Sequence, residues 1–343
     1  MDETMRGVIM HAPGDVTVED RPVPHVVEPT DAVLRVEIAC ICGSDLWPYR
    51  GLQPVEESPM GHEYIGTVVE VGSEVKNVAV GDFVVGSFCL SDNSCEICAS
   101  GYQSRCVNGG FMGDTQAQYT RVPQADGTLV VVPGGRPDDP ELLASLLAAS
   151  DVLGTGWFGA VAAEAGPGRT VAVVGDGAVG LSAVLAAKTL GAERVIAMSR
   201  HEDRAALARE FGADVVVAER GDEGAARVKE LTGGLGAHSV VEAVGNQVSM
   251  DQAIACCRPG GNIGFVGVSH DQQIDGGALF FSEVHLHGGP APVRRFLPDL
   301  IDRILRKEID PGRVFTMRLP LERAAEGYRA MDERRAIKVL LEP

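Results

Sequence analysis

Nothing in this sequence approaches the ~18 consecutive apolar residues that cross a bilayer, so no transmembrane segment is expected. The opening residues, MDETMRGVIM, lack a basic stretch followed by an apolar one, so no secretory leader is expected and the expected location is cytoplasmic. Positive charge is also scarce. There are 30 Lys and Arg against 48 Asp and Glu, a formal net charge of −18. That balance argues against nucleic acid or an anionic membrane as a partner. Any anionic ligand must then be held by a local positive site. No internal repeat is found, and the 42 glycines cluster before apolar runs rather than in low-complexity tracts. What remains is a 343-residue chain, 45% hydrophobic and 23% charged, long enough for two domains.

The two halves differ in texture. Residues 5–40 and 64–90 read as short β segments broken by Pro and Gly, which predicts an antiparallel, barrel-like β domain. Near residue 140 the pattern turns helical with PELLASLLAASDVLGTGWFGAVAAEAG. Residues 170–287 then alternate apolar runs (TVAVVG, RVIAMS, DVVV, SVVEAVG, NIGFVGV) with helical segments, one of them SMDQAIACCRPG. That rhythm predicts a parallel, doubly wound sheet. The tail carries two more helical segments and a closing strand, AIKVLLEP.

Within the alternating region, TVAVVGDGAVGLSAVLAAKTLGAERVIAMS sets Gly175, Gly177 and Gly180 in G-x-G-x-x-G. The spacing follows an apolar strand, opens a helix at Ala178 and Val179, and leads to a second strand. In that context it reads as a dinucleotide loop, with a pyrophosphate at the helix N-terminus. A carboxylate that would hold a ribose 2′-hydroxyl normally ends the second strand. Here that place holds Ser199, followed by Arg200, His201 and Arg204. Without the carboxylate a 2′-phosphate is not repelled, and the hydroxyl and cations offer it partners, so NADP(H) is expected over NAD(H).

Metal-type residues stand in the β half. CGSD brings Cys42, and GHEYIGTVVEVG brings His62 and Glu63; a catalytic zinc needs about three protein ligands and an open position. Further on, Cys95 and Cys98 form C-x-x-C and Cys106 follows seven residues later. A fourth cysteine at even spacing is missing: that place holds Asp92, and Cys89 lies too far upstream. In a reducing compartment such a cluster holds metal more often than disulfides. Cys40, Cys256 and Cys257 read as buried packing thiols.

Together GHEYIGTVVEVGSEV, the upstream CGSD, SDVLGTGWFGA at 150–160, the glycine loop and AIKVLLEP resemble the zinc-containing medium-chain alcohol dehydrogenases over essentially the whole chain. The resemblance implies a Rossmann domain, a doubly wound parallel sheet, over residues 152–288. It would be inserted in a GroES-like β-barrel catalytic domain of residues 1–151 completed by 289–343. It implies hydride transfer between a small alcohol and an aldehyde or ketone, and a homodimer or homotetramer. Carried over, Cys42, His62 and Asp151 are the catalytic zinc ligands, with Glu63 an exchangeable or neighbouring carboxylate. Asp45 fixes the His62 tautomer, and Ser44 takes the substrate proton. Thr155 and Gly156 lie near the nicotinamide, and Lys338 stands where the family has a basic residue reaching the cofactor phosphates. The family's structural zinc lobe is matched by Cys95, Cys98 and Cys106, with Asp92 in place of the first cysteine. A Cys3Asp zinc site is expected; Cys89 as the fourth ligand, or an empty site with free thiols, are the alternatives.

One departure touches the chemistry. Many relatives carry a histidine three positions after the Ser/Thr, finishing a proton relay; here Trp47 stands there, and with Leu46 and Tyr49 it either walls the substrate pocket or packs in the β core. Two other enzyme readings remain: a zinc-free NADPH-dependent enone or quinone reductase, and an NAD-dependent polyol, threonine or formaldehyde-type dehydrogenase. A non-catalytic NADPH-binding protein is the reading outside enzymes.

Overall fold

Strand Ala32–Ile41 is buried at nearly every position, which is the pattern of a strand covered on both faces. In the computed structural model, which describes residues 3–343, it is the centre of a seven-stranded sheet. Tyr64–Val71 pairs with it antiparallel along one edge. Its other edge is shared: Tyr119–Val122 pairs with its first residues and the closing strand Lys338–Glu342 with its last. A three-stranded sheet of Thr4–Ala12, Asp15–Pro22 and Ser58–Pro59 and a two-stranded ribbon of Cys89–Leu90 with Gly110–Phe111 complete the β part. Val8, Met10, Ile41, Tyr328, Val339 and Leu341 share one core, so the tail packs with the N-terminal residues.

Contacts divide the chain into two units, residues up to Asp151 with Pro292–Pro343, and Val152–Ala291. The second is a six-stranded sheet, parallel throughout. Its spatial order is Val215–Val217, Arg194–Met198, Thr170–Val174, Ala237–Glu242, Cys257–Phe265, His285–Gly288. Numbered in chain order this is 3-2-1-4-5-6, the Rossmann arrangement, with a switch point between the first and fourth strands. The fold is therefore a Rossmann sheet together with a GroES-like β domain.

Two details depart from the sequence pattern. The long helical segment after residue 139 is two helices, Pro140–Ala149 and Val152–Ala162. Asp139 caps the first, accepting the Glu141 N–H, and Pro140 fills its first turn. The apolar segment SMDQAIACCRPG does not stay helical: Gln247–Cys256 is helix and Cys257 already starts a strand. Parallel pairing with Ala237–Glu242 overrides the local helical preference there. Cys40, Cys256 and Cys257 are all buried. Among the described residues, no single helix is long and apolar enough to cross a membrane.

Candidate metal centre and nucleotide crevice

Cys42 directly follows the central strand, and His62 and Glu63 directly precede its antiparallel partner, in which Tyr64 faces Ala39. The register therefore delivers all three side chains to one end of the pair. Asp151 follows the helix Pro140–Ala149, and Ser150 before it accepts the Phe88 N–H through its carbonyl. One ligand atom from each of Cys42, His62, Glu63 and Asp151 lies within 4.8 Å of all the others. Asp151 Oδ2 stands 3.7 Å from Cys42 Sγ and 3.3 Å from His62 Nε2.

A second layer holds these groups. Asp45 Oδ2 accepts the Cys42 N–H at 2.9 Å and Gln116 Nε2 at 3.1 Å, and Asp45 Oδ1 is 3.5 Å from His62 Nδ1. Gln116 also donates to the Cys40 carbonyl and accepts from the Tyr328 hydroxyl at 3.0 Å. Glu63 and Lys338 are fully buried; Lys338 Nζ donates to Glu63 Oε1 at 2.6 Å and to the Ile41 carbonyl at 3.2 Å. Among the described residues, Glu63 Oε2 has no hydrogen-bond partner.

The electrostatics of the cluster ask for a cation. Burial opposes charge on His62, yet Cys42, the Asp151 contact and Asp45 hold its pKa well above the histidine range. Burial, and then Glu63, push the Cys42 thiol up. Anionic groups crowd here, and Lys338 is the cation packed on Glu63. An imidazole, a thiol and two carboxylates, one of them with a buried oxygen that makes no hydrogen bond among the described residues, suit zinc.

The second cluster is Asp92, Cys95, Cys98 and Cys106, again with ligand atoms within 4.8 Å of one another. Cys95 caps the short helix Glu96–Ala99, and its sulfur accepts the Cys98 N–H at 3.5 Å. Cys106 Sγ accepts the Asp92 N–H at 3.4 Å and lies 3.9 Å from Cys95 Sγ. Backbone N–H groups of Val107 and Cys98 lower the Cys95 pKa, whereas burial raises that of Cys98, so the cluster's thiols are not shifted in one direction. Asp92 does more than face the sulfurs. Its Oδ1 accepts the Ser94 and Cys95 N–H groups and its Oδ2 accepts Asn108 Nδ2, so it also ties the turn. Cys89 is not in this group. It is buried in the ribbon strand, with its N–H on Ser87 Oγ and its thiol pushed up by burial and then by Asp151.

In the second unit, Gly175 follows the strand Thr170–Val174 at φ +120°, and Gly177 caps the helix Ala178–Thr189. A Cβ on Gly180 would sit 2.1 Å from the Gly175 carbonyl oxygen, so only glycine lets helix and turn approach. A Cβ on Gly177 would meet nothing within 4 Å; its face is open, as a pyrophosphate seat must be. Ala178 and Val179, half-exposed, form the first helical turn. Thr155 is nearly buried on Val152–Ala162. Ser199 lies buried just past the second strand, Arg200 is exposed, and Arg204 is half-buried on the helix Glu202–Glu210. Residues 28–134 match the alcohol dehydrogenase GroES-like domain family and residues 178–305 the zinc-binding dehydrogenase family. Zinc-type alcohol dehydrogenase B of Aspergillus flavus is 35% identical, over 99% of this chain and 81% of its own.

The chain belongs to the zinc-containing medium-chain alcohol dehydrogenases.

The structure of an alcohol dehydrogenase from Thermus sp. ATN1 is 32% identical and superposes with a TM-score of 0.88, covering 98% of this chain and 99% of that one. A solved Sinorhizobium meliloti structure bound to NADP is 26% identical with a TM-score of 0.83, over 100% of both chains. The chain is thus an alcohol dehydrogenase oxidoreductase acting on a small molecule, of a family built for zinc and a nicotinamide cofactor. In this alcohol dehydrogenase the placement of Lys338 corrects the expectation of a phosphate contact. Its strand is zipped to the central strand, with Val339 opposite Ile41, and its ammonium is turned inward onto Glu63. Burial opposes that charge, but Cys40 and Glu63 outweigh it and hold the pKa well above the lysine range.

Three residues of the sites escaped the sequence reading. Gln116 and Tyr328 carry no motif, and only the fold brings them to Asp45. Asp176 was visible as the residue between Gly175 and Gly177. Its Oδ2 accepts from Ser199 Oγ at 2.8 Å and its Oδ1 from Arg204 Nη1 at 3.3 Å.

Proposed function

We propose that this dehydrogenase is zinc-dependent, oxidises small alcohols, reduces the matching aldehydes or ketones, and prefers NADP(H) to NAD(H). The observation that carries the reading is the meeting of Cys42, His62, Glu63 and Asp151 within 4.8 Å. Zinc held there would act as a Lewis acid on the substrate oxygen, and the nicotinamide would exchange the hydride. The chain's own residues do the positioning. Cys42, His62 and Asp151 hold the ion, and Glu63 offers its free oxygen as an exchangeable or neighbouring carboxylate. Asp45 faces the Nδ1–H of His62 as its acceptor, which fixes the tautomer and leaves Nε2 to the metal. Half-buried Ser44 carries the substrate proton through its hydroxyl. Replacing it by alanine is expected to lower kcat at least about 100-fold, as for other positioned proton carriers.

Asp92, Cys95, Cys98 and Cys106 are proposed to hold a second, structural zinc. For the cofactor, the supporting features are the absent carboxylate at the strand end itself, the buried Ser199 hydroxyl and the exposed Arg200 cation, with Arg204 close by but paired to Asp176; the NADP bound in the Sinorhizobium meliloti neighbour is in line with this. Metal analysis with a substrate panel run on both cofactors tests the whole reading. Zinc near two per chain, chelator-sensitive turnover and a higher kcat/KM with NADP are expected. Metal-free protein with chelator-insensitive turnover would overturn zinc dependence.

A further inference from the structure

We propose that Asp176, inside the glycine loop, is a specificity residue that restrains this enzyme's preference for a 2′-phosphorylated cofactor. The proposal rests on the reading above that a nicotinamide nucleotide lies on this loop. Its starting point is a displaced carboxylate. The second strand ends in Ser199 instead of Asp or Glu, but a carboxylate reaches the same spot from the loop: Asp176 Oδ2 accepts from Ser199 Oγ at 2.8 Å. The same hydroxyl lies 3.3 Å from the His201 carbonyl, so the pairing ties loop and strand end together.

Asp176 also takes charge out of the phosphate-binding set. Arg204 Nη1 lies 3.3 Å from Asp176 Oδ1 and 3.3 Å from the Asp176 carbonyl oxygen. Both side chains of this ion pair are only 13% exposed, so water screens it weakly. The expected attraction for a 2′-phosphate came from Arg200 and Arg204. With Arg204 neutralised, exposed Arg200 supplies that attraction, while the carboxylate beside Ser199 repels the phosphate. A ribose 2′-hydroxyl meets the opposite situation. A carboxylate oxygen can accept more than one hydrogen bond, and a ribose hydroxyl is a donor. One carboxylate thus favours the hydroxyl form and opposes the phosphate form.

Equilibrium binding of two fragments to the zinc-loaded enzyme tests this without turnover: 2′,5′-ADP, which carries the 2′-phosphate, and 5′-ADP, which does not. Asp176→Asn is expected to tighten 2′,5′-ADP on the order of tenfold, the effect of one weakly screened charge, with 5′-ADP unchanged or weaker. The NADP-to-NAD ratio of kcat/KM should rise with it. Asp176→Glu, which keeps the charge, should stay within about threefold of the parent ratio on the same scale. If both fragments shift together in Asp176→Asn, or the ratio does not rise, the residue is merely structural and the proposal fails. If the parent enzyme binds neither fragment, the nucleotide reading fails first, and the proposal with it.

Discussion

Gln116 ties together the candidate metal centre although no ligand pattern marks it. It links the Tyr328 hydroxyl to Asp45, and Asp45 faces both the Cys42 N–H and His62 Nδ1. All of these groups are buried or nearly so, and an unmet polar partner there is costly. Gln116→Leu is expected to leave Asp45 and Tyr328 each short of one hydrogen bond and His62 free to turn. Zinc affinity should fall about 10- to 100-fold, the usual cost of losing an outer partner of a metal histidine. Competition with a chromophoric chelator measures this. An unchanged affinity would mean that the Cys42 amide alone orients Asp45. The contrast with Cys42, His62 and Glu63 explains what the sequence makes legible. Those residues stand beside strand ends in short, chemically marked stretches, and the strand register does the rest. Gln116 and Tyr328 are ordinary core polar residues until folding brings them together across 212 positions. Lys338 was misread for a related reason: a lysine in a closing strand says nothing about which face it takes, and pairing with the central strand buries it.

At the scale of an element, Asp92 in the cysteine lobe carries one role the structure shows, tying the turn, and one proposed above, holding zinc. Asp92 brings a carboxylate oxygen within 4.8 Å of the three sulfurs, and it ties the turn through Ser94, Cys95 and Asn108. Its pKa is held below the usual carboxylate range: burial opposes this, but the Ser94, Cys95 and Asn108 donors outweigh it. The two duties separate under mutation. Asp92→Asn keeps an acceptor for the turn but removes the charge, so bound zinc should fall from two per chain toward one with little loss of turn structure. Asp92→Ala should lose the zinc and the turn together, costing about a further 1 kcal/mol by analogy with a lost helix cap. Metal content and thermal unfolding of the two variants check this. Zinc remaining at two in Asp92→Asn would leave Asp92 a purely structural residue. Cys89 is poorly placed to replace it, because its strand pairing with Gly110–Phe111 fixes it in the ribbon. The glycine loop behaves differently from the lobe. Its spacing is readable because backbone geometry demands glycine at Gly175 and Gly180, whereas the lobe departs from the even cysteine spacing at Asp92. A Gly180→Ala variant would drive its Cβ into the Gly175 carbonyl, and should weaken 5′-ADP binding and lower Tm together.

At the scale of the molecule, the last strand joins the chain's end to its beginning. Lys338–Glu342 pairs with the last residues of Ala32–Ile41 and lays Phe315–Pro320 alongside as a parallel neighbour. Val339, Leu340 and Leu341 are at most 1% exposed, and Leu341 and Val339 share a core with Val8, Met10 and Tyr328. Three such side chains bury about 1.5–3 kcal/mol of apolar stabilisation each, comparable with the whole net stability of a domain. The same strand places Lys338 on Glu63, so edge pairing and the charge balance of the metal centre are coupled through one element. Two substitutions separate these effects. Leu341→Ala should lower stability by about 2–5 kcal/mol, the cost of a large core truncation, while zinc content of the folded protein stays at two. Lys338→Met keeps the bulk and removes the ammonium, leaving Glu63 without its cation. Zinc should then bind more tightly relative to the parent, because the ion alone must neutralise Glu63, and the zinc-free protein should be the destabilised form. Thermal unfolding with and without zinc reads both arms. Equal loss of Tm in the two states for Lys338→Met would show that the lysine stabilises the sheet edge and not the charge of the site.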